Sequence, residues 1–596
     1  MEKTLFVNLS TGELRDETFD EKIYRDFIGG YGIGARIIYS RQKAGVDPLG
    51  PENTLGFLTG PLTGTPALMG CRYATVGKSP LTGGWGDANS GGHFGPHLKF
   101  AGYDGIFLTG ISEKPVYLSI DNGKPELKDA GYLWGKSATE TEDELKAEMG
   151  GKAEVISIGP AGEKMALIAC ILTRRGLSAC GRSGLGAVMG SKKLKAVVVR
   201  GDQEVPVADL EEANRLRKEH IAAFRAMKMG EDSFFDMFHT YGTAGHADVA
   251  AHSGDTPVKN WGGVGVVDLP DVSGLSGTSV LANQDKQQTC WHCPLACQAI
   301  MKAGTGEYNY PAGTARPEYE TLASFGAMCL CSNTDAVVMA NHICNTAGLD
   351  TISAGTTVAF AMECYEHGLI TKEDTDGIEL DWGNHRAMIA ILEKMAKREG
   401  IGDILADGTK VAAEKIGKGA EEYAINIGGQ ELGYHDPKLA GPFPGPTAAR
   451  YWLDPTPGRH SQGFGPTGFE GHLRNSAGIC LTGYGGLSRY IYAYMNAVTG
   501  WERSQEELLK AGERILNMRH VFNLREGINP LKWKVPPRVY GDPPFNEGPL
   551  AGISANIIEQ SYWNLGALDW DMETTRPSKK KLLELGLDDV AQELWP

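Results

Sequence analysis

The chain has 596 residues, 41% hydrophobic and 22% charged, with a formal net charge of −16; that length exceeds the ~250–300 residues one core can serve, so roughly two to four domains are expected. The acidic balance argues against nucleic acid or an anionic membrane as partner, since both need a basic face, and no apolar run reaches the ~18 residues of a membrane span. The opening MEKTLFVNLSTGE lacks the apolar core of a secretion signal, so a cytoplasmic chain is expected.

Residues 1–207 alternate short β-rich runs (TLFVNL, YATVG, GIFLTG, PVYLSI, AVVVRG) with Gly/Pro/Asn turns, which predicts a β-rich unit. From DLEEANRLRKEHIAAFRAMK onward apolar residues fall at helical spacing, with Asp209 as a cap. DAVVMANHICNTAG, TTVAFAMECYEHG and RAMIAILEKMAKREG keep that period up to about residue 425. After the loop-rich GYHDPKLAGPFPGPTAARYWLDPTPGRH, helices return in WERSQEELLKAGERILNMRHVF, and PSKKKLLELG reads as an exposed C-terminal helix. The expected fold is α+β, with units at 1–207, 208–425 and 426–596.

Glycine is abundant at 79 residues, and 11 cysteines are too many, and odd in number, for a disulfide framework in a chain of this class. IGGYGIGAR (28–36) and GRSGLGAVMGSKKLKAVVV (181–199) imitate nucleotide motifs, but the second spaces its glycines one residue too far and lacks the acidic residue that should follow. Backbone cradling of another phosphate or polar ligand is the alternative reading for 181–199, beside plain turns. GCRYATVGKSPLTGGWGDANSGGHFGPHLKFAGYDG (70–105) crowds Arg, Asn, His and glycines around short strands, as a flat or anionic ligand would need.

TCWHCPLACQAI places Cys290, Cys293 and Cys297 within twelve positions. Pro294 suggests that the first two lie on a loop and that PLACQAIMKA starts a helix. Four thiolates hold a cubane iron–sulfur cluster; structural zinc usually takes two pairs, and no second pair is present. A fourth ligand must come from one of the other eight cysteines, Cys480 among them. Glu318, Glu320, His342 and His460 are candidates for proton transfer, since a histidine beside a desolvated carboxylate can move protons near neutrality. NTAGLD (345–350) and NSAGIC (475–480) echo each other, each near a helix end where glycine suits a left-handed stop.

In order along the chain, PLTGT, KSPLTG, ANSGG, LKFAGYDG, SIGPAGE, GLGAVMGSKKLKA, CWHCPLAC, PEYE, GLDTIS, AKREGIGD and GHLRNSAGIC resemble the tungsten-dependent aldehyde ferredoxin oxidoreductase family over essentially the whole sequence. The resemblance implies a β-sandwich-like base covered by two mainly helical domains. It implies a tungsten bis-pyranopterin beside a [4Fe-4S] cluster, held by Cys290, Cys293, Cys297 and Cys480. Arg72 would stand between cluster and pterin, and Asn89 and Gly91 would touch pterin. The loops starting at Asn345 and Asn475 would recognise the two pterins, with Leu349 and Ile479 meeting the rings. Backbone carbonyls of Asn89 and Ala179 would hold Mg2+, and Glu320 and His460 would be the acid–base pair.

Aldehyde oxidation with electrons passed to ferredoxin or a ferredoxin-like subunit is the implied activity, within a homo- or hetero-oligomer. A benzoyl-CoA reductase-type subunit and a cluster-only electron carrier are the alternatives. The sequence departs from the family in starting both pterin loops with asparagine rather than aspartate, and in carrying Ser178 where a basic residue is usual. It also carries Met339 with His342, and Ile389, where relatives bind an intersubunit metal, so that metal is not expected.

Overall fold

A computed structural model describes residues 3–150, 152–227, 234–440, 447–461, 463–484 and 487–596. The alternating runs of the first 200 residues form two six-stranded sheets. In the first, Lys3–Asn8 pairs in parallel with Gly105–Thr109, and Leu55–Thr59 links that pair to Tyr73–Lys78 and the edge strand Trp85–Ser90. In the second, Leu194–Arg200 lies between Val116–Asp121 and Glu154–Ser157, and the edge carries Ile171–Thr173 and Ser178–Cys180. Leu5, Val7, Phe57, Ile106 and Leu108 of one sheet bury against Leu118, Ile156, Val197 and Val199 of the other. Period-2 patterning thus produces a sandwich-like base. The edge strands Trp85–Ser90 and Ser178–Cys180 come together, which brings Asn89, Gly91 and Ala179 to one rim.

The remainder is mainly helical. Leu210–Met227 starts where expected, the Asp209 carboxylate accepting the Glu212 N–H at 2.9 Å. Thr334–Ala347 and Phe469–Ala477 both stop at a left-handed glycine, Gly348 (φ 82°) and Gly478 (φ 83°). Gln505–Arg525, closed at its start by a Ser504/Glu507 capping box, is buried over most of its length. Lys579–Glu584 is the short helix expected in the C-terminal lysine run. Part of the loop-rich stretch, 441–446, lies outside the described residues; 447–453 beyond it is helical. Among the described residues no helix is long and apolar enough to cross a membrane.

One expectation fails. PLACQAIMKA does not start a helix: Ala296 takes a positive φ of 49°, and Gln298–Met301 pairs as a strand with Gln284–Gln288. Backbone ladder bonds there outweigh the helical start suggested by Pro294. Of GRSGLGAVMGSKKLKAVVV, Gly181 and Arg182 line a cavity described below, and GLGAVMG follows them. It is a buried helix, Leu185–Ser191, whose glycines let it press on other backbone; a Cβ on Gly186 would sit 2.6 Å from Cys170 N, and one on Gly190 would overlap the Gly162 carbonyl.

A fully buried ionic cluster ties the base to the helices. Arg519 Nη2 lies 2.9 Å from Asp87 and 3.1 Å from Asp454, and Arg459 Nη1 lies 3.1 Å from Asp87. Asp87 comes from the edge strand, Arg519 from the long helix, and Arg459 immediately precedes His460.

Candidate redox site

The two echo loops sit on the β base in the same way. At the first, Gly348 O accepts from Cys170 N at 2.9 Å and Asp350 N donates to Ile168 O at 3.0 Å. At the second, Gly478 O accepts from Arg72 N at 2.9 Å, and Cys480 N donates to Met69 O at 3.2 Å. Each loop rests on a glycine: a Cβ on Gly159 would overlap the Ala347 carbonyl, and one on Gly60 would overlap that of Ala477.

The second loop delivers Cys480 to the 290–297 loop. Cys290, Cys293, Cys297 and Cys480 line one cavity of about 360 Å³, shared with Arg72, Gly91, Ala179, Glu320 and Asn345. All are free thiols. The loops that aim them are strained, with positive φ at Met69 (57°), His292 (49°) and Ala296 (49°); such residues cost about 1–3 kcal/mol each and collect at functional sites. Gly91 leaves room here, since a Cβ would stand 3.1 Å from Cys290 Sγ and press on it.

Arg72 joins the sulfurs to the second loop. Its Nη2 donates to Cys480 Sγ at 3.3 Å and its Nη1 to Asn89 Oδ1 at 2.8 Å; Asn89 Nδ2 then donates to Asn475 Oδ1 at 2.9 Å. Burial opposes the guanidinium charge, but the Cys480 and Cys71 sulfurs outweigh it and hold Arg72 protonated. Asn475 uses its amide oxygen as an acceptor, the role a carboxylate would fill, so the Asp-to-Asn departure preserves this bond. Asn345 Nδ2 donates to Asn341 Oδ1 at 3.2 Å, within the first loop's own helix. Leu349 and Ile479 are buried in the loops, and Leu349 bridges to Ala169.

The thiols are electrostatically uneven. A hydrogen bond with Cys71 pulls Cys290 down to about 6 against burial, with help from Arg174 and Arg72. Burial pushes Cys293 up to about 12 and Cys297 up as well, and the neighbouring sulfurs add to both. Converging sulfurs that raise one another's cost of deprotonation are relieved by a cationic iron core, so this donor set fits an iron–sulfur cluster.

Glu320 lies on the short helix Tyr319–Leu322, which runs into a π-helical turn at Ala323–Ala327, a distortion frequent at functional sites. Tyr434 N–H donates to Glu320 Oε2 at 3.1 Å, while buried Oε1 has no hydrogen-bond donor and stands 3.5 Å from His460 Nε2. Gly433 permits this approach, since a Cβ there would lie 2.7 Å from His460 Nδ1. Burial raises Glu320 above the usual carboxylate range, partly offset by His435. Burial drives His460 well below the usual histidine range, and the charges of His435 and Arg450 push the same way. His460 is therefore a neutral imidazole at pH 7.

His342 is placed away from this pair, with Nδ1 3.3 Å from Thr314 Oγ1. Glu318 lines the cysteine cavity and accepts from Thr243 Oγ1. Sequence reasoning missed His435. One atom from each of Glu320, His435 and His460 lies within 4.8 Å of the others, and the His435 and His460 rings meet edge to face at 4.5 Å.

Comparison with known proteins agrees with this arrangement. The family described as "Aldehyde ferredoxin oxidoreductase, N-terminal domain" matches residues 4–201, and that described as "domains 2 & 3" matches 219–472 and 469–587. The tungsten-containing aldehyde ferredoxin oxidoreductase of Pyrococcus furiosus is 37% identical, covering 98% of each chain, and that of Thermococcus kodakarensis is 36% identical with the same coverage. An aliphatic sulfonate oxidoreductase, WOR-like subunit, of Pyrococcus furiosus is 31% identical over 99% of this chain and 98% of its own. Among solved structures, the active site complex BamBC of benzoyl coenzyme A reductase with 1,5-dienoyl-CoA aligns at TM-score 0.83 and 26% identity, covering 100% of this chain and 98% of that one. The family models and these relatives match the sequence over nearly its whole length, and the chain belongs to the aldehyde ferredoxin oxidoreductase family.

Proposed function

We propose that the protein oxidises an aldehyde to a carboxylate and passes the electrons one at a time to ferredoxin or a ferredoxin-like subunit. The observation that carries this reading is the single cavity lined by the four cysteines and by Glu320, whose buried Oε1 has no hydrogen-bond partner. Tungsten in a bis-pyranopterin would supply two-electron chemistry, and an adjacent [4Fe-4S] cluster one-electron steps.

In this assignment Cys290, Cys293, Cys297 and Cys480 hold the cluster. Arg72, Asn89, Gly91 and the loops containing Asn345, Leu349, Asn475 and Ile479 hold the pterins. Backbone carbonyls of Asn89 and Ala179 take Mg2+, whose preference for oxygen ligands suits that rim. Net, an aldehyde and water become a carboxylate, three protons and two electrons. Glu320, its basicity raised by burial, takes a proton from water or the aldehyde hydrate at Oε1. Neutral His460 donates one N–H to the substrate oxygen and fixes its orientation; it does not act as a cationic acid.

Anaerobically purified protein should contain tungsten and four irons per chain and reduce an artificial one-electron acceptor with aldehydes. Iron without tungsten would leave a cluster-only carrier. A second reading, a benzoyl-CoA reductase-type subunit, rests on the end-to-end likeness to that structure; activity with an aryl-CoA thioester and none with aldehydes would select it.

A further inference from the structure

Aldehyde oxidation releases protons at the same place as electrons, and the two need different ways out. The cysteines mark the electron side. Across Glu320 and His460 lies a second cavity of about 270 Å³, lined by Asp255, His435, Asp436, Leu439, Arg450 and Tyr451 together with His460. It contains no sulfur. His435 lines this cavity beside His460, and one atom of each lies within 4.8 Å of a Glu320 oxygen.

We propose that His435, held by Asp255, carries protons from Glu320 and His460 into this second cavity, away from the cysteine side. The inference rests on the aldehyde-oxidising reading above. Asp255 Oδ2 accepts from His435 Nδ1 at 2.7 Å, and the same oxygen lies 3.2 Å from His246 Nε2. The Asp436 N–H donates to Asp255 O at 2.7 Å and fixes the dyad's backbone. Tyr319 stacks on His435 at 4.8 Å with 25° between the planes, so the imidazole cannot swing freely.

A carboxylate shared by two imidazoles keeps a proton close at hand without binding it tightly. Burial opposes a charge on His435, but the bond to Asp255 and the charge of Glu320 more than offset it. The charged and titratable groups facing His435 are Asp255 and His246 on one side and Glu320, Tyr319 and His460 on the other. Toward the second cavity these are Asp436, Arg450 and Tyr451. A neutral His460 and a readily protonated His435 define a direction of transfer. His435 is a proton-transfer residue; Asp255, which reaches the site only through it, is a positioning residue.

The test uses holoenzyme reduced by aldehyde in a single turnover, with a pH-indicator dye reporting proton release. His435→Ala should slow proton release and kcat about 10²-fold with KM unchanged, and added imidazole, small enough for the second cavity, should restore about tenfold. Asp255→Asn should move the acid limb of the kcat profile about one unit lower, because His435 must be unprotonated to accept. Wild-type proton release in both variants would overturn the proposal. Stoichiometric zinc in wild-type protein that is lost in Asp255→Asn would also overturn it, making His246, Asp255 and His435 a metal site. If wild-type protein oxidises no aldehyde, the functional reading itself fails. NMR titration of 13C-labelled histidines, which needs no substrate, then decides the dyad: an unmoved His435 titration in Asp255→Asn overturns it, and a downward shift sustains it.

Discussion

Glu320, His460 and His435 are packed within a few ångströms of one another, yet the surroundings drive them to different charge states. Glu320 lines the cysteine cavity and keeps one buried oxygen without a hydrogen-bond partner. Glu320→Gln keeps the shape and removes the base. It should leave tungsten and iron contents unchanged by elemental analysis and lower kcat about 10²-fold or more. Asp255 gives a stability signature. Burial would raise its carboxyl, but the bonds to His246 and His435 bring it down to about 2, so its contribution is present above the unfolded value near 4 and lost as pH falls through 2. His435 is raised, so its share is full below the unfolded value of about 6.5 and lost as pH rises through the folded one. Thermal scans of Asp255→Asn against wild type should therefore differ most between about pH 4 and 6.5, by about 2 kcal/mol, converge as pH falls through 2, and keep a smaller difference once His435 has lost its proton. Glu320 and His460 were reached through family motifs, not spacing. His435 could not be reached at all: it sits in an aperiodic loop, and its partner Asp255 lies 180 positions earlier.

At the scale of elements, the two helix stops were legible because Asn-x-Ala-Gly has a local physical meaning, a left-handed glycine ending a helix. Their seats were not, since Gly60 and Gly159 matter only through what approaches them in space. The seats predict separable failures. Gly60→Ala displaces the loop ending at Cys480 and should lower both iron and tungsten in purified protein. Gly159→Ala displaces the loop ending at Asp350 and should lower tungsten while iron is retained. Equal loss of both metals in the two variants would contradict the assignment of Cys480 to the cluster. The 290–301 segment misled in the opposite way. Its proline and small apolar residues favour a helix locally, but the preceding strand Gln284–Gln288 and a strained turn decide the outcome.

For the whole molecule, alternating runs announced the two sheets and 3.6-residue periods announced the helical cover, so the α+β architecture was readable in outline. What couples base to cover was not, because Asp87, Asp454 and Arg519 are charged residues with no local reason to be buried. Arg519 is 0% exposed and meets both carboxylates. Arg519→Leu leaves buried Asp454 without a cation and Asp87 with Arg459 alone, and should cost about 3–5 kcal/mol, read as a clear drop in apparent melting temperature. A midpoint equal to wild type would mean that the network is not what fastens these parts together.

The mirrored loops differ in their final residue. One ends in Cys480, whose sulfur takes a hydrogen bond from Arg72 at 3.3 Å; the other ends in Asp350, which caps the following helix and pairs with Arg182 at 3.1 Å. Twin cradles with matching backbone bonds are therefore unequal: one ends in a sulfur and the other is pinned by an ion pair. Under the proposed assignment, current has a single door, on the Cys480 side.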